Sequence, residues 1–147
     1  MTETTITREE TQIRKFMDNW VEAVRAKDSK LLESGIAPGA ILFDLIEPLQ
    51  YRGSDALQRR AEQWFSSFQG PIDYEVRDLH IATSEGVAFC HSLNHVHGAN
   101  TEGKIVDMWW RATVCFEKTN GKWTVTHEHN SVPFDMKSGK ASMGLRP

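Results

Sequence analysis

From Thr7 onward, apolar and polar residues follow one another with the period of a helix. Ile13, Phe16, Met17, Trp20, Val21 and Val24 fall on one stripe and leave Arg14, Lys15, Asp18, Glu22 and Arg25 outside it. Thr7-Arg8-Glu9-Glu10 supplies the start, because the threonine hydroxyl can accept from the backbone of Glu10 while the glutamate reaches back. Asp28 or Ser29 then caps a short second helix carrying Leu31 and Leu32, which Gly35 and Pro38 terminate. Ala40 to Ile46 reads as a strand too apolar for the surface, ended by Pro48, and Asp44 within it needs a partner or a task. Ser54 caps a third helix whose Leu57, Ala61, Trp64, Phe65 and Phe68 form its buried face, with Gly70-Pro71 at the close.

Beyond Pro71 the period changes to two. Residues 72–83, 87–97, 104–118 and 122–132 are β-rich, and Ser84-Glu85-Gly86, Gly98 to Gly103 and Thr119-Asn120-Gly121 between them are hairpin connections, so the strands are expected to run antiparallel. Helices followed by a meander, with no βαβ alternation, give an α+β fold. The chain reads as a single domain over residues 1–147, in which the aperiodic residues 133–147 form a C-terminal tail over the sheet or a neighbouring subunit.

The last hairpin decides which side chains share a face. A three-residue loop with Gly121 left-handed sets Arg111 opposite His129 and Thr113 opposite His127, whereas a two-residue Asn120-Gly121 loop slips the pairing by one and sets the histidines against Val114 and Ala112. The first is preferred because it gathers the polar groups. Asp107, Trp109, Arg111, Thr113, His127 and His129 then line one surface, read as a pocket. Met108, Trp110, Val114 and Phe116 line the other, read as the interface of a homodimer.

Composition narrows the classes. A 147-residue chain with five Trp and seven Phe can bury one continuous core. A net charge of -3, with Lys and Arg scattered, offers no footprint for nucleic acid. The polar Met1-Thr2-Glu3-Thr4-Thr5 lacks a secretion signature and no apolar run reaches membrane-spanning length, so the expectation is a cytoplasmic protein with no membrane partner. Cys90 and Cys115 sit in strand-like runs and read as core thiols.

The order of elements, with Trp20-Val-Glu-Ala-Val-Arg-Ala-Lys-Asp28, Ala40-Ile-Leu-Phe-Asp44 and Tyr51-Arg-Gly53, resembles the opening of ketosteroid isomerases and SnoaL-like proteins of the NTF2-like superfamily. Arg111-Ala-Thr113, Gly121-Lys-Trp123 and His127-Glu-His129-Asn-Ser131-Val-Pro133-Phe134 are similar to the closing strands of bacterial SnoaL-like proteins and to the association domain of calmodulin-dependent kinase. The resemblance implies a cone in which three N-terminal helices pack on a strongly curved antiparallel sheet around a pocket, and it implies homodimerisation. It also matches Asp44 to the general base of ketosteroid isomerase. The family's oxyanion-binding Tyr corresponds to Trp20, and its neutral Asp falls near Arg111 to Thr113, so that hydrogen-bonding pair is not retained.

The candidate catalytic set is therefore Asp44, His129, His127 and Arg111. Burial would suit Asp44 to exchange a proton, and the imidazoles and guanidinium could stabilise an oxyanion or enolate; each also has a plain structural reading as a satisfied core group or an internal ion pair. Trp20, Tyr51, Trp64, Asp107, Trp109 and Thr113 are expected to contact the substrate. His91, His95 and His97 alternate in one run and His127 and His129 in another, which raises a metal site, but no Cys or HExxH companion accompanies them and none is expected. The reading is a cofactor-independent acid–base enzyme of isomerase, cyclase, lyase or hydrolase type, acting on a small, largely apolar carbonyl compound. The alternative is a non-catalytic module of the same fold that binds a small ligand or holds an assembly together.

Overall fold

The computed structural model describes residues 6–147, and Met1 to Thr5, on which the secretion-signal argument rests, lie outside the described residues. The chain forms α1 (Arg8–Arg25), α2 (Ser29–Ser34), β1 (Ile36–Phe43), β2 (Tyr51–Arg52), α3 (Ser54–Ser66), β3 (Asp73–Ser84), β4 (Val87–Ala99), β5 (Ile105–Thr119) and β6 (Lys122–Ser131). Thr7 caps α1 by accepting from Glu10 N at 3.0 Å, and Asp28 caps α2 by accepting from Leu31 N at 3.0 Å. At α3 the cap is Gly53, without a side-chain bond, and Ser54 is the first helical residue.

The third helix follows β1 and β2, the order in which the sequence sets a strand before Ser54, and one expectation about architecture needs correction. The six strands, in the order β2-β1-β6-β5-β4-β3, are antiparallel except where β1 runs parallel to β6. The parallel pair follows from chain length: β1 and β6 are far apart in sequence, so no tight turn constrains their direction.

The β5–β6 turn is the two-residue one, with Asn120 at φ 53° and Gly121 at φ 77°, the left-handed pair this hairpin demands. Thr119 faces Lys122 and Phe116 faces Val125, but Thr126 is then skipped, so that Cys115 faces His127, Thr113 faces His129 and Arg111 faces Ser131. The bulge undoes the slip. Neither register weighed from the sequence gives these pairs, yet the division into faces survives, because one extra residue in the turn argument and one in the bulge leave the same parity. A second irregularity between Arg77 and His80, with Asp78 at φ 54°, bends β3 in the same way.

The helices cover the face that carries Met108, Trp110, Val114 and Phe116, so this is the core side and not a subunit interface. Phe116 is 1% exposed, and the Phe16 ring of α1 meets it edge-on at 5.0 Å. Burial of such a side chain contributes roughly 2–3 kcal/mol, which the exposed alternative would forgo. Ile13, Leu42, Val125 and Cys90 complete the driest layer. Cys90 behaves as the expected core thiol, pushed by burial up to about 12, while Cys115 stands half-buried on the other face. That other face carries all six histidines of the chain. The tail folds back through Asp135 N to Lys140 O and Ser142 N to Pro133 O, and Arg146 reaches Asp107 on β5. Among the described residues no helix is long and apolar enough to cross a membrane.

Candidate functional site

The structure separates the four groups expected to converge. Arg111 and His129 are exposed on the outer face, where Arg111 Nε donates to Ser131 Oγ at 3.1 Å, and His127 lies beside them with Nδ1 on Ile41 O at 2.5 Å. Phe43 packs edge-on against both imidazoles, its centroid 4.6 Å from His127 and 5.3 Å from His129. Thr113 is exposed next to them. Asp44, one residue beyond β1, belongs to the helical side of the sheet. Its Oδ2 accepts from Arg60 Nε at 3.0 Å and Nη2 at 2.8 Å, and its Oδ1 from Leu45 N at 2.7 Å. The partner is thus Arg60 of α3. The Arg60 guanidinium also covers the Tyr51 ring at 4.6 Å. Parity explains the separation: an imidazole pair facing outward and a carboxylate facing the helices cannot meet through a sheet.

Asp107 and Trp109 are outer-face residues as well. His95 Nε2 binds Asp107 Oδ1 at 2.6 Å, its Nδ1 binds Glu75 at 3.1 Å, and its ring stacks on Trp109 at 4.4 Å beneath the Arg77 guanidinium. The Arg146 and His95 hydrogen bonds hold the Asp107 carboxyl down to about 2. Among the described residues no three His, Cys, Asp or Glu side chains are gathered so as to hold a metal ion.

The inner face carries a cluster that reading the sequence missed. Glu128 follows His127, so an outward imidazole sends its carboxyl inward. It lies on the strand beside Leu42 of β1 and Val114 of β5. Burial pushes it up to about 7; the amide of Asn130, donating Nδ2 to Oε1 at 2.6 Å, acts against this, and the charge of Asp44 acts with it. Glu128 nevertheless retains some accessible surface. Asn130 Oδ1 is buried and has no partner among the described residues. A buried acceptor left without a donor costs about 1–3 kcal/mol, so it marks a position that a water or ligand would complete.

A directed chain of hydrogen bonds ends nearby. Ser92 Oγ donates to Asn94 Oδ1 at 2.7 Å, and Asn94 Nδ2 donates to Tyr74 Oη at 2.8 Å. Having accepted from Asn94, Tyr74 keeps its own proton to donate. Burial raises the Tyr74 phenol above its ordinary value, and the Glu128 charge adds to this, so the two groups lie within electrostatic reach. Trp64 stands edge-on to both Tyr74 at 6.3 Å and Trp110 at 6.4 Å. Trp20, Trp64 and Tyr51 are thus on the helical side, while Trp109, Asp107 and Thr113 are not. The signal that could have found Glu128 was present: polar residues at even positions, Ser92, Asn94, Glu128 and Asn130, share the face of Trp110 and Phe116.

Comparison with known proteins places this arrangement. The family model for the SnoaL-like domain matches residues 13–135. The chain belongs to the SnoaL-like family. An NTF2-like protein of unknown function from Pseudomonas putida is 32% identical to this SnoaL-like chain, covering 95% of it and 96% of its own length with a TM-score of 0.85. An NTF2-like protein from Streptomyces avermitilis, assigned provisionally as a dehydratase, has a TM-score of 0.76 at 16% identity over 86% of this chain and 97% of its own. A protein from Xanthomonas campestris, assigned provisionally as a calcium/calmodulin-dependent kinase II association domain, gives 0.74 at 16% identity over 88% and 91%. The last two likenesses are of fold alone. No curated protein matches the SnoaL-like chain.

Proposed function

We propose that this SnoaL-like protein is a cofactor-independent acid–base enzyme in which Glu128, not Asp44, moves the proton. What carries the reading is the convergence on one face of a carboxyl in apolar surroundings, an amide oxygen without a donor and a phenol with a proton to give. A carboxyl near neutrality can accept and return a proton at physiological pH. The Tyr74 hydroxyl would stabilise the oxyanion that forms when a proton leaves the carbon beside a carbonyl. Half-buried Trp20, Trp64, Leu45, Met108 and Val132 suit a small, largely apolar carbonyl compound. The provisional dehydratase among the structural neighbours is compatible with such chemistry.

Solvent exchange tests this without knowing the physiological substrate. Small cyclic ketones incubated with protein in D2O should gain deuterium beside the carbonyl, followed by proton NMR, and Tyr74→Phe should slow the exchange by about 10- to 100-fold. Equal exchange with and without protein, across a panel of ketones, counts against catalysis. The saturation of Asp44 by Arg60 and Leu45 N favours a second reading, a module that binds such compounds without turning them over; saturable binding with no exchange would support it.

The assembly is proposed as a homodimer, through the outer face instead of the one inferred from the sequence. Phe89 stands 48% exposed there, and half-buried Leu93 on the same strand and Phe43 on β1 share that face, with none of the described helices laid over it. Light scattering should return twice the 16.7 kDa chain mass, and Leu93→Glu should return the monomer. A monomeric wild type contradicts the proposal.

A further inference from the structure

Concavities of about 410 and 550 Å³ flank α1, one against α2 and the β5–β6 turn, the other against β3; neither includes Glu128. The first has the makings of a ligand site. Its walls are Phe16 and Trp20 of α1, Leu31 of α2 and Trp123 of β6; Leu31 is left 51% exposed, whereas Trp123 is 7% exposed with Lys118 over its ring. The floor is shaped by Gly35: a Cβ there would meet Phe16 Cζ at 2.7 Å, so the ring takes its place only because the residue is glycine. Trp123 is fixed by its indole N–H, which donates to Gln12 Oε1 at 2.8 Å. The aromatic walls are therefore held in place before any ligand arrives.

Charge at this groove is one-sided. Lys15 and Lys122 line it and no Asp or Glu does, in a chain whose net charge is -3. Among the described residues neither lysine forms an ion pair. Lys122 Nζ donates to Ser34 O at 3.3 Å, which leaves two of its three protons unspent. A volume of about 410 Å³ falls within the range of sites for small organic molecules. From these features we infer that the groove binds an aromatic carboxylate, its ring between Phe16, Trp20 and Trp123 and its charge toward Lys15 and Lys122. The groove shares Trp20 with the inner cluster but includes neither Glu128 nor Tyr74, so it does not depend on the reaction proposed there.

Naphthalene-2-carboxylate and its neutral carboxamide carry the same apolar body and differ in charge, so calorimetric titration of the full chain with each isolates the contribution of the lysines. The acid should bind one to one, at least about tenfold more tightly than the amide. It should shift the Trp123 indole N–H resonance. Lys15→Met with Lys122→Met should reduce the acid to the affinity of the amide, while Glu128→Gln should leave both unchanged. Equal affinity for the two compounds, no saturable binding of the acid into the millimolar range, or binding that Glu128→Gln abolishes while Trp123 stays unmoved would each overturn the assignment.

Discussion

Glu128→Gln is expected to flatten the pH dependence of stability between about 4.5 and 7 and to remove the proton-transfer activity. The sign follows from where the proton binds. With its carboxyl raised from 4.5 to about 7 in the fold, Glu128 is protonated in the native state and ionised in the unfolded chain over that window. The native state then binds more protons, so stability falls as pH rises and levels off above about 7. At about 1.4 kcal/mol per pKa unit the ionised group opposes folding by roughly 3 kcal/mol, and by less to the extent that water reaches it. Glutamine carries no charge at any pH. Urea denaturation at pH 5 and pH 8 should show the wild type losing up to about 3 kcal/mol between them, and the variant losing little. Asp107 does not confuse the measurement. Its carboxyl is held down to about 2, so the stability it contributes is present above the ordinary carboxylate range and is lost only as the solution becomes strongly acidic.

The same substitution should lower deuterium exchange into a ketone by about 10²- to 10⁴-fold, the range expected for loss of a positioned acid–base group. Exchange that survives Glu128→Gln unchanged would sink the role given to Glu128, even if the stability profile flattens as described. The two readouts are independent, because a carboxyl can be costly to ionise without touching a substrate.

How much of this was legible in the chain can be argued from the last hairpin. Alternation along β5 and β6 separated Asp107, Trp109, Arg111, Thr113, His127 and His129 from Met108, Trp110, Val114 and Phe116, and the structure keeps that division. Alternation does not say which face the helices cover, and a face that gathers carboxylate, imidazole and guanidinium reads from sequence alone as the lining of a pocket. Amphipathic helices bury apolar surface, so α1 and α3 cover Trp110, Val114 and Phe116 instead. Once the faces are exchanged, Glu128 moves from a candidate partner of the histidines to an inward carboxyl within electrostatic reach of Tyr51 and Tyr74. The Thr126 bulge was not legible, since Lys122 to Ser131 alternates without a glycine to mark it. The parallel pairing of β1 with β6 had no local signal either, because it joins segments at opposite ends of the chain.

Asp44→Asn separates what the sequence resemblance implies from what the geometry favours. The substitution leaves the Arg60 guanidinium without its carboxylate, at side-chain exposures of 18% for Arg60 and 24% for Asp44. An exposed pair would cost under about 1 kcal/mol and a fully buried one about 3–5, so a half-buried, doubly bonded pair should cost about 2 kcal/mol. Arg60→Met in the same chain should recover part of the loss, since it removes the orphaned charge. Activity reads the other half. If Asp44 serves only to hold Arg60, and Arg60 to hold Tyr51, deuterium exchange in Asp44→Asn should fall no more than about tenfold at a temperature where the variant remains folded. A base lost from the reacting centre would cost about 10²- to 10⁴-fold. A loss of that size, with far-ultraviolet circular dichroism intact, would return the proton to Asp44 and leave Glu128 as its buried neighbour.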